Sequence, residues 1–238
     1  MYKNILKTSI LALLSIIFIV PSHARLRMLD GPRAQWISKH KCAIVWQTSN
    51  YSTSKVKWGK SKNYDRFSTG DDGVQHQVKL DGLEGGTLYH YMVMSTEKGG
   101  QAVASEDFVF ETPSPNLVVK QALLPSSVVL GNSYAAKVSV YLEGEPIDLP
   151  YTVEIFRQAY YAGAASRDNK EVKLGQATVN NQTVGTSRTI DVPFVVKPLT
   201  GLEESFQDGN DFVVKVVTQE KERNKDDNIR KYPFTISN

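Results

Sequence analysis

The sequence predicts an all-β protein built of two tandem β-sandwiches behind a cleaved secretory signal. Three observations carry this. After residue 24 no window holds the 3.6-residue apolar period of a helix. Short runs of alternating apolar and polar residues recur instead, separated by turn-forming stretches. A prolyl break, Thr112-Pro113-Ser114-Pro115, divides these runs into two series.

The first element is the signal. Lys3 and Lys7 form a charged start, Ile10 to Val20 a short apolar core, and Ser22-His23-Ala24 a small-x-small cleavage site after the breaker Pro21. The apolar run is shorter than the ~20 residues a membrane helix needs. Arg25 follows the cut, so no lipid-bearing cysteine is expected there. The mature chain of 214 residues fits two domains of ordinary size. Without Lys3 and Lys7 it carries 26 basic and 25 acidic residues, a balance that gives no electrostatic case for nucleic acid or anionic lipid. No further membrane span is expected, and the protein is placed outside the cytoplasm, secreted or periplasmic. The single cysteine, Cys42, cannot form a disulfide within the chain. It alternates with Ile44 and Trp46 and reads as a buried core thiol.

In the first series the runs are Cys42 to Gln47, Lys55 to Gly59, Val74 to Leu80, Thr87 to Ser95 and Asp107 to Thr112. Between the third and fourth lies DGLEGGTLY, residues 81 to 89. Here the chain has to cross from one sheet to the other. Gly82, Gly85 and Gly86 permit the tight backbone and Leu83 plugs the end of the core. Tyr89 buries its ring and can return its hydroxyl to the backbone upstream. The segment from Leu83 to Tyr91 resembles the L-x-P-G-T-x-Y-x-Y signature of fibronectin type III domains, with Gly85 where that family has proline. Together with Ala43 to Thr48, Val56 to Ser61 and Phe108 to Pro113, residues 30 to 113 resemble the domain that precedes the catalytic domain of purple acid phosphatases. In that family catalysis belongs to a separate two-metal domain. This chain does not supply the ligands such a site needs. Gly70-Asp71-Asp72-Gly73 reads as an Asp-Gly turn, and His40, His76 and His90 have no metal-ligand spacing. No catalysis and no cofactor are expected.

The second series comprises Asn116 to Leu124, Tyr134 to Tyr141, Tyr151 to Arg157, Glu171 to Val179, Thr189 to Val196, Asp211 to Thr218 and Ile229 to Ile236. Pro193 demands an edge position or a bulge. The last 30 or so residues resemble the closing hairpin of bacterial cell-adhesion-related immunoglobulin-like domains, a hydrophobic strand, an Asn- and acid-rich turn, then a final strand. The turn has two readings. Asn and Asp suit turn geometry, which is preferred. Alternatively, Glu222, Asp226, Asp227 and Asn228 offer oxygen ligands for calcium. The expected fold is thus two immunoglobulin-like, fibronectin type III-like sandwiches, residues 25–112 and 116–238, with 113–115 as linker and 1–24 as signal.

Two surfaces are candidates for binding. If Tyr89, Tyr91 and Val93 face the core, then Leu88, His90, Met92 and Met94 face out. That strip is either covered by a neighbouring part of the molecule, the preferred reading, or it meets a partner. Lys55, Lys57, Lys60, Lys62 and Arg66 read as charges guarding an edge. Residues 157–169, RQAYYAGAASRDN, carry Tyr160 and Tyr161, which either contact a ligand or fold back onto the sandwich. The function expected is a secreted, non-catalytic binding or adhesion module for an envelope or extracellular protein or glycan. The alternatives are a periplasmic assembly factor or chaperone-like subunit, and an accessory domain protein of a phosphoesterase system.

Overall fold

Two long ribbons, β2 (Lys41–Gly59) and β3 (Arg66–Asp81), each run through both sheets of the first domain. A computed structural model describes residues 25–161, 170–198 and 207–237. The sequence places separate strands at Cys42 to Gln47 and Lys55 to Gly59. The structure joins them into β2, whose pairing with β3 shifts register between Gln47 and Ser54. On one side of that shift, residues 43–48 pair with β1 (Met28–Gln35) and residues 41–47 with residues 75–81 of β3. On the other side, residues 54–58 pair with residues 66–70 of β3 and with β4 (Leu88–Thr96). β5 (Ala102–Ala104) and β6 (Phe108–Glu111) complete the second layer against β4. A three-stranded layer therefore faces a four-stranded one. Between them lie Cys42, Ile44, Trp46, Val56, Trp58, Val78, Leu80, Tyr89, Tyr91 and Val93. These are the alternate residues of each run, as a pleated strand requires.

β6 ends at Glu111 and the second domain opens with β7 (Pro115–Leu123). The strands that follow are β8 (Ser127–Val128), β9 (Ser133–Gly144), β10 (Tyr151–Tyr161), β11 (Lys170–Val179), β12 (Thr186–Val195), β13 (Gln207–Thr218) and β14 (Ile229–Ile236). β7, β9 and β12 form one layer, while β11, β10, β13, β14 and β8 form the other. Among the described residues the layers touch through a single strand pairing, Gly175 with Phe194. A side chain at Gly175 would run into Pro193 O and Phe194. Pro193 thus points its backbone oxygen away from β9 and toward β11, where its missing N–H breaks no ladder. β12 is therefore not the edge strand that the proline led the sequence to predict, and no bulge marks Pro193: β9 pairs along its whole length, and β11 pairs with it only at Phe194, so the proline interrupts no longer ladder on that side. The core is Val-rich and closes on an aromatic stack in which Phe212 and Phe234 lie 3.9 Å apart.

Both domains use one connectivity. With the short β5 counted with β6 and the two-residue β8 with β7, the first, second and fifth strand segments make the three-stranded layer, and the third and fourth join the last two opposite it. The two halves share no recognisable sequence repeat, yet they repeat this arrangement. β1, β5 and β8 are elements that the alternation did not reveal. β1 carries Gly31 and Pro32 and a shifting register, and the other two are only 3 and 2 residues long.

Candidate binding surfaces

The corner between β3 and β4 closes as its residues predict. Leu83 is 2% exposed, and Glu84 N donates to the Tyr89 hydroxyl at 2.9 Å. Gly82 and Gly86 hold φ of +70° and +57°, where a side chain would strain the backbone. Gly85 has a different purpose. An added Cβ would lie 3.0 Å from Lys39 Cγ and 3.3 Å from Pro113 O. No side chain stands at this position, where Lys39 crosses to the second domain.

That crossing builds the seam between the domains. Lys39 Nζ meets Glu220 Oε2 at 2.5 Å, Asp148 Oδ2 at 2.6 Å and Pro146 O at 2.7 Å. The Lys39 and Glu220 side chains are 8% and 7% exposed. Burial pushes the Lys39 ammonium down, but its bonds to Asp148 and Glu220 outweigh this and hold it above the usual lysine value. Beside it, His40 Nδ1 lies 2.8 Å from Leu83 O and Nε2 2.8 Å from Asp148 Oδ2. Both ring nitrogens face acceptors, so the Leu83 carbonyl and then Asp148 raise its pKa. Glu220 also accepts the Leu149 N–H at 2.7 Å, and Lys221 Nζ donates to Gly86 O.

A second polar cluster lies inside the first domain. His76 is 3% exposed and stacks on Trp46 with ring centroids 4.8 Å apart. Its Nδ1 is 2.7 Å from Ser54 Oγ, and its Nε2 is 2.8 Å from Thr48 Oγ1. Ser54 already donates to Asp71 O at 2.6 Å, so the imidazole donates to the serine. This polarity is the reverse of an activated nucleophile. Cys42 is equally inert: buried, its thiol is pushed up to about 11.

The strip Leu88, His90, Met92 and Met94 does lie on the outward side of β4. Leu88 is 48% exposed, while His90, Met92 and Met94 are half-buried. His90 Nδ1 meets Asp107 Oδ2 at 2.9 Å, and Tyr64 donates to Asp107 Oδ1 at 2.7 Å. Met92 and Met94 stand opposite Lys57 and Lys55, and Lys55 Nζ sits over the exposed Phe67 ring. Tyr160 and Tyr161 close β10; their side chains and residues 162–169 lie outside the described residues.

The Glu222–Asn228 turn folds inward. Glu222 accepts from Leu117 N at 2.8 Å and from Asn228 Nδ2 at 2.7 Å. Asp227 Oδ2 accepts from Asn116 Nδ2 at 3.0 Å, and Asp226 is exposed. Burial holds the Glu222 carboxyl above its usual range. Among the described residues no group of three or more His, Cys, Asp or Glu gathers to hold a metal ion.

One surface escaped the sequence reading. On the outer side of the three-stranded layer, Arg33, Val45 and Gln77 stand in one cross-strand row, and Gln47 and Gln75 face each other in the next. Val45 makes the floor of a trough, with β1 side chains as one wall and β3 side chains as the other. The open cleft holds about 450 Å³. It was invisible earlier because strand register alone brings residues 33, 45 and 77 together.

No family model matches the chain, and no curated protein matches it. Among solved structures, the FN1–FN3 domains of chicken CNTN1 match at 14% identity and TM-score 0.28, over 80% of this chain and 61% of that one. The titin domains Z1Z2, solved in complex with telethonin, match at 12% identity and TM-score 0.36, over 90% and 95%. The immunoglobulin-like, fibronectin type III-like fold rests on the strand order itself rather than on these low scores.

Proposed function

We propose that the chain is a secreted, non-catalytic binding module that engages an envelope or extracellular polymer or protein. One observation supports this most directly. The seam formed by Lys39, His40, Asp148 and Glu220 ties the domains together at their ends, and the outer side of β1, β2 and β3 in the first domain carries an open cleft. Domains of this fold serve as scaffolds that present such faces, so the reading leans on the surface rather than on the fold. The Ser54–His76 pair is committed to the core and takes no part.

The test is co-sedimentation of purified residues 25–238 with an envelope fraction of the source cells. Saturable binding is expected. Its loss after protease treatment of the fraction identifies a protein partner, and its loss after periodate a glycan. Absence of saturable binding overturns the reading. So does metal-dependent hydrolysis of a phosphate monoester by the purified chain, which would restore the phosphoesterase alternative. Isolation of the chain in a stoichiometric complex with a single pilus-type subunit would replace it with the assembly-factor alternative.

A further inference from the structure

We infer that the trough across β1, β2 and β3 is a binding site for an uncharged, hydroxyl-rich glycan chain; this rests on the binding-module reading above and names its ligand class. The cleft's volume, about 450 Å³, lies in the range of ligand sites. Gln35, Gln47, Gln75 and Gln77 line it, and among the described residues none of these four amides has a hydrogen-bond partner. Each presents two donors and an acceptor. Converging amides of this kind match vicinal sugar hydroxyls, which both give and take protons. The floor between them is apolar and shallow, at Val45, and suits the C–H side of a pyranose ring.

The charge pattern selects against other occupants. Arg33 Nη1 binds both oxygens of Asp30 at 2.8 Å, so this pair cancels within the wall. Lys79, exposed one row away opposite Ala43, is a single cation outside the lining, not the cationic cluster that an anionic polymer or nucleic acid requires. A peptide adding itself as a strand needs a free sheet edge. β2 is interior here, paired with β1 on one side and β3 on the other, so its backbone groups are already used. A glycan has no such need. The residue after Gln35 is Trp36, 69% exposed and held at φ +50°, a conformation that bulky residues rarely adopt. It offers a large apolar face next to the amides in sequence.

The test titrates residues 25–238 with soluble neutral glucans, mannans and galactans, and with hyaluronan and polyglutamate as charged controls. Side-chain amide resonances of glutamine report the site directly. At least one neutral glycan is expected to bind and shift the Gln47, Gln75 and Gln77 amides, while the charged polymers do not. Gln47→Ala with Gln77→Ala removes hydrogen bonds from the floor strand and from the β3 wall and should weaken binding about tenfold or more. Val45→Lys fills the floor and should abolish it. Lys57→Ala, on the opposite layer, should leave it unchanged. The inference fails if no neutral glycan shifts these amides, or if binding survives both trough variants. If the Val45→Lys chain still sediments with envelope, the trough assignment is wrong and the module reading stands. If the unaltered chain does not sediment, the module reading fails independently.

Discussion

His76 and Glu222 show how single buried groups set the response of this protein to pH. Burial lowers the His76 pKa from the usual 6.5, and the nearby Asp72 only partly opposes this. The unfolded chain therefore takes up a proton at this residue before the folded one does. The stability it contributes is present above the unfolded value and is lost as pH falls through 6.5 toward the folded value. The urea midpoint is expected to drop between pH 7.5 and 5.5. A His76→Phe chain, which keeps the ring on Trp46, should drop less; an equal drop would assign the effect elsewhere. Glu222 presents the opposite case. Its raised pKa marks a carboxylate that folding desolvates, and Asn228 Oδ1 beside it is buried without a partner. Glu222→Gln removes the charge and lets a turned Asn228 amide accept from the new NH₂. We expect an unchanged or higher melting temperature. Glu222→Leu leaves the Leu117 N–H unsatisfied and should cost about 2 kcal/mol in a chemical denaturation curve.

At the scale of elements, the sandwich of the second domain depends on one close approach. Gly175 lies against Pro193 and Phe194 where the two layers join. Gly175→Ala forces the strands apart and should destabilise the chain by about 2 kcal/mol, in the range of overpacked cores. A midpoint unchanged by this substitution would show that β11 and β12 can separate freely. The corner at Leu83 to Tyr89 was legible in the sequence because its parts are local: the glycines, the plug and the tyrosine lie within eight residues of one another. The alternating strands were legible for the same reason. The fusion inside β2 was not, because Asn50, Tyr51 and Ser52 look like a turn and become one only by a register shift against β3. The reason for Gly85 was also hidden. It lies in Lys39, whose partner Glu220 is 181 residues away along the chain. The trough depends on three strands at once, and no spacing in a single stretch encodes it.

For the whole molecule, the seam decides whether two domains behave as one body. A buried ion pair adds little net stability over well-packed apolar residues, but removing one partner strands the other. Lys39→Met leaves Glu220 and Asp148 facing each other without their shared cation. Thermal unfolding should then separate into two transitions, with the docked state losing about 3 kcal/mol. Small-angle scattering should show a longer molecule. A single cooperative transition and an unchanged scattering profile would mean that the linker alone fixes the domains. Because Lys39 and Glu220 are shielded from solvent, moderate salt should loosen the seam far less than the mutation does.

The segment from Pro115 to Val128 supplies the outermost strand on both layers of the second domain, as β7 on one and β8 on the other. Its ladder slips register between Val119 and Gln121, and β8 pairs for only two residues. Pro115 opens it, and Pro125 stands between its two halves. A strand from a second copy therefore meets a broken, proline-marked rim on either side rather than a regular template for growth. One stretch of chain thus marks both rims of the domain, and neither rim offers a second copy a long regular strand on which to grow.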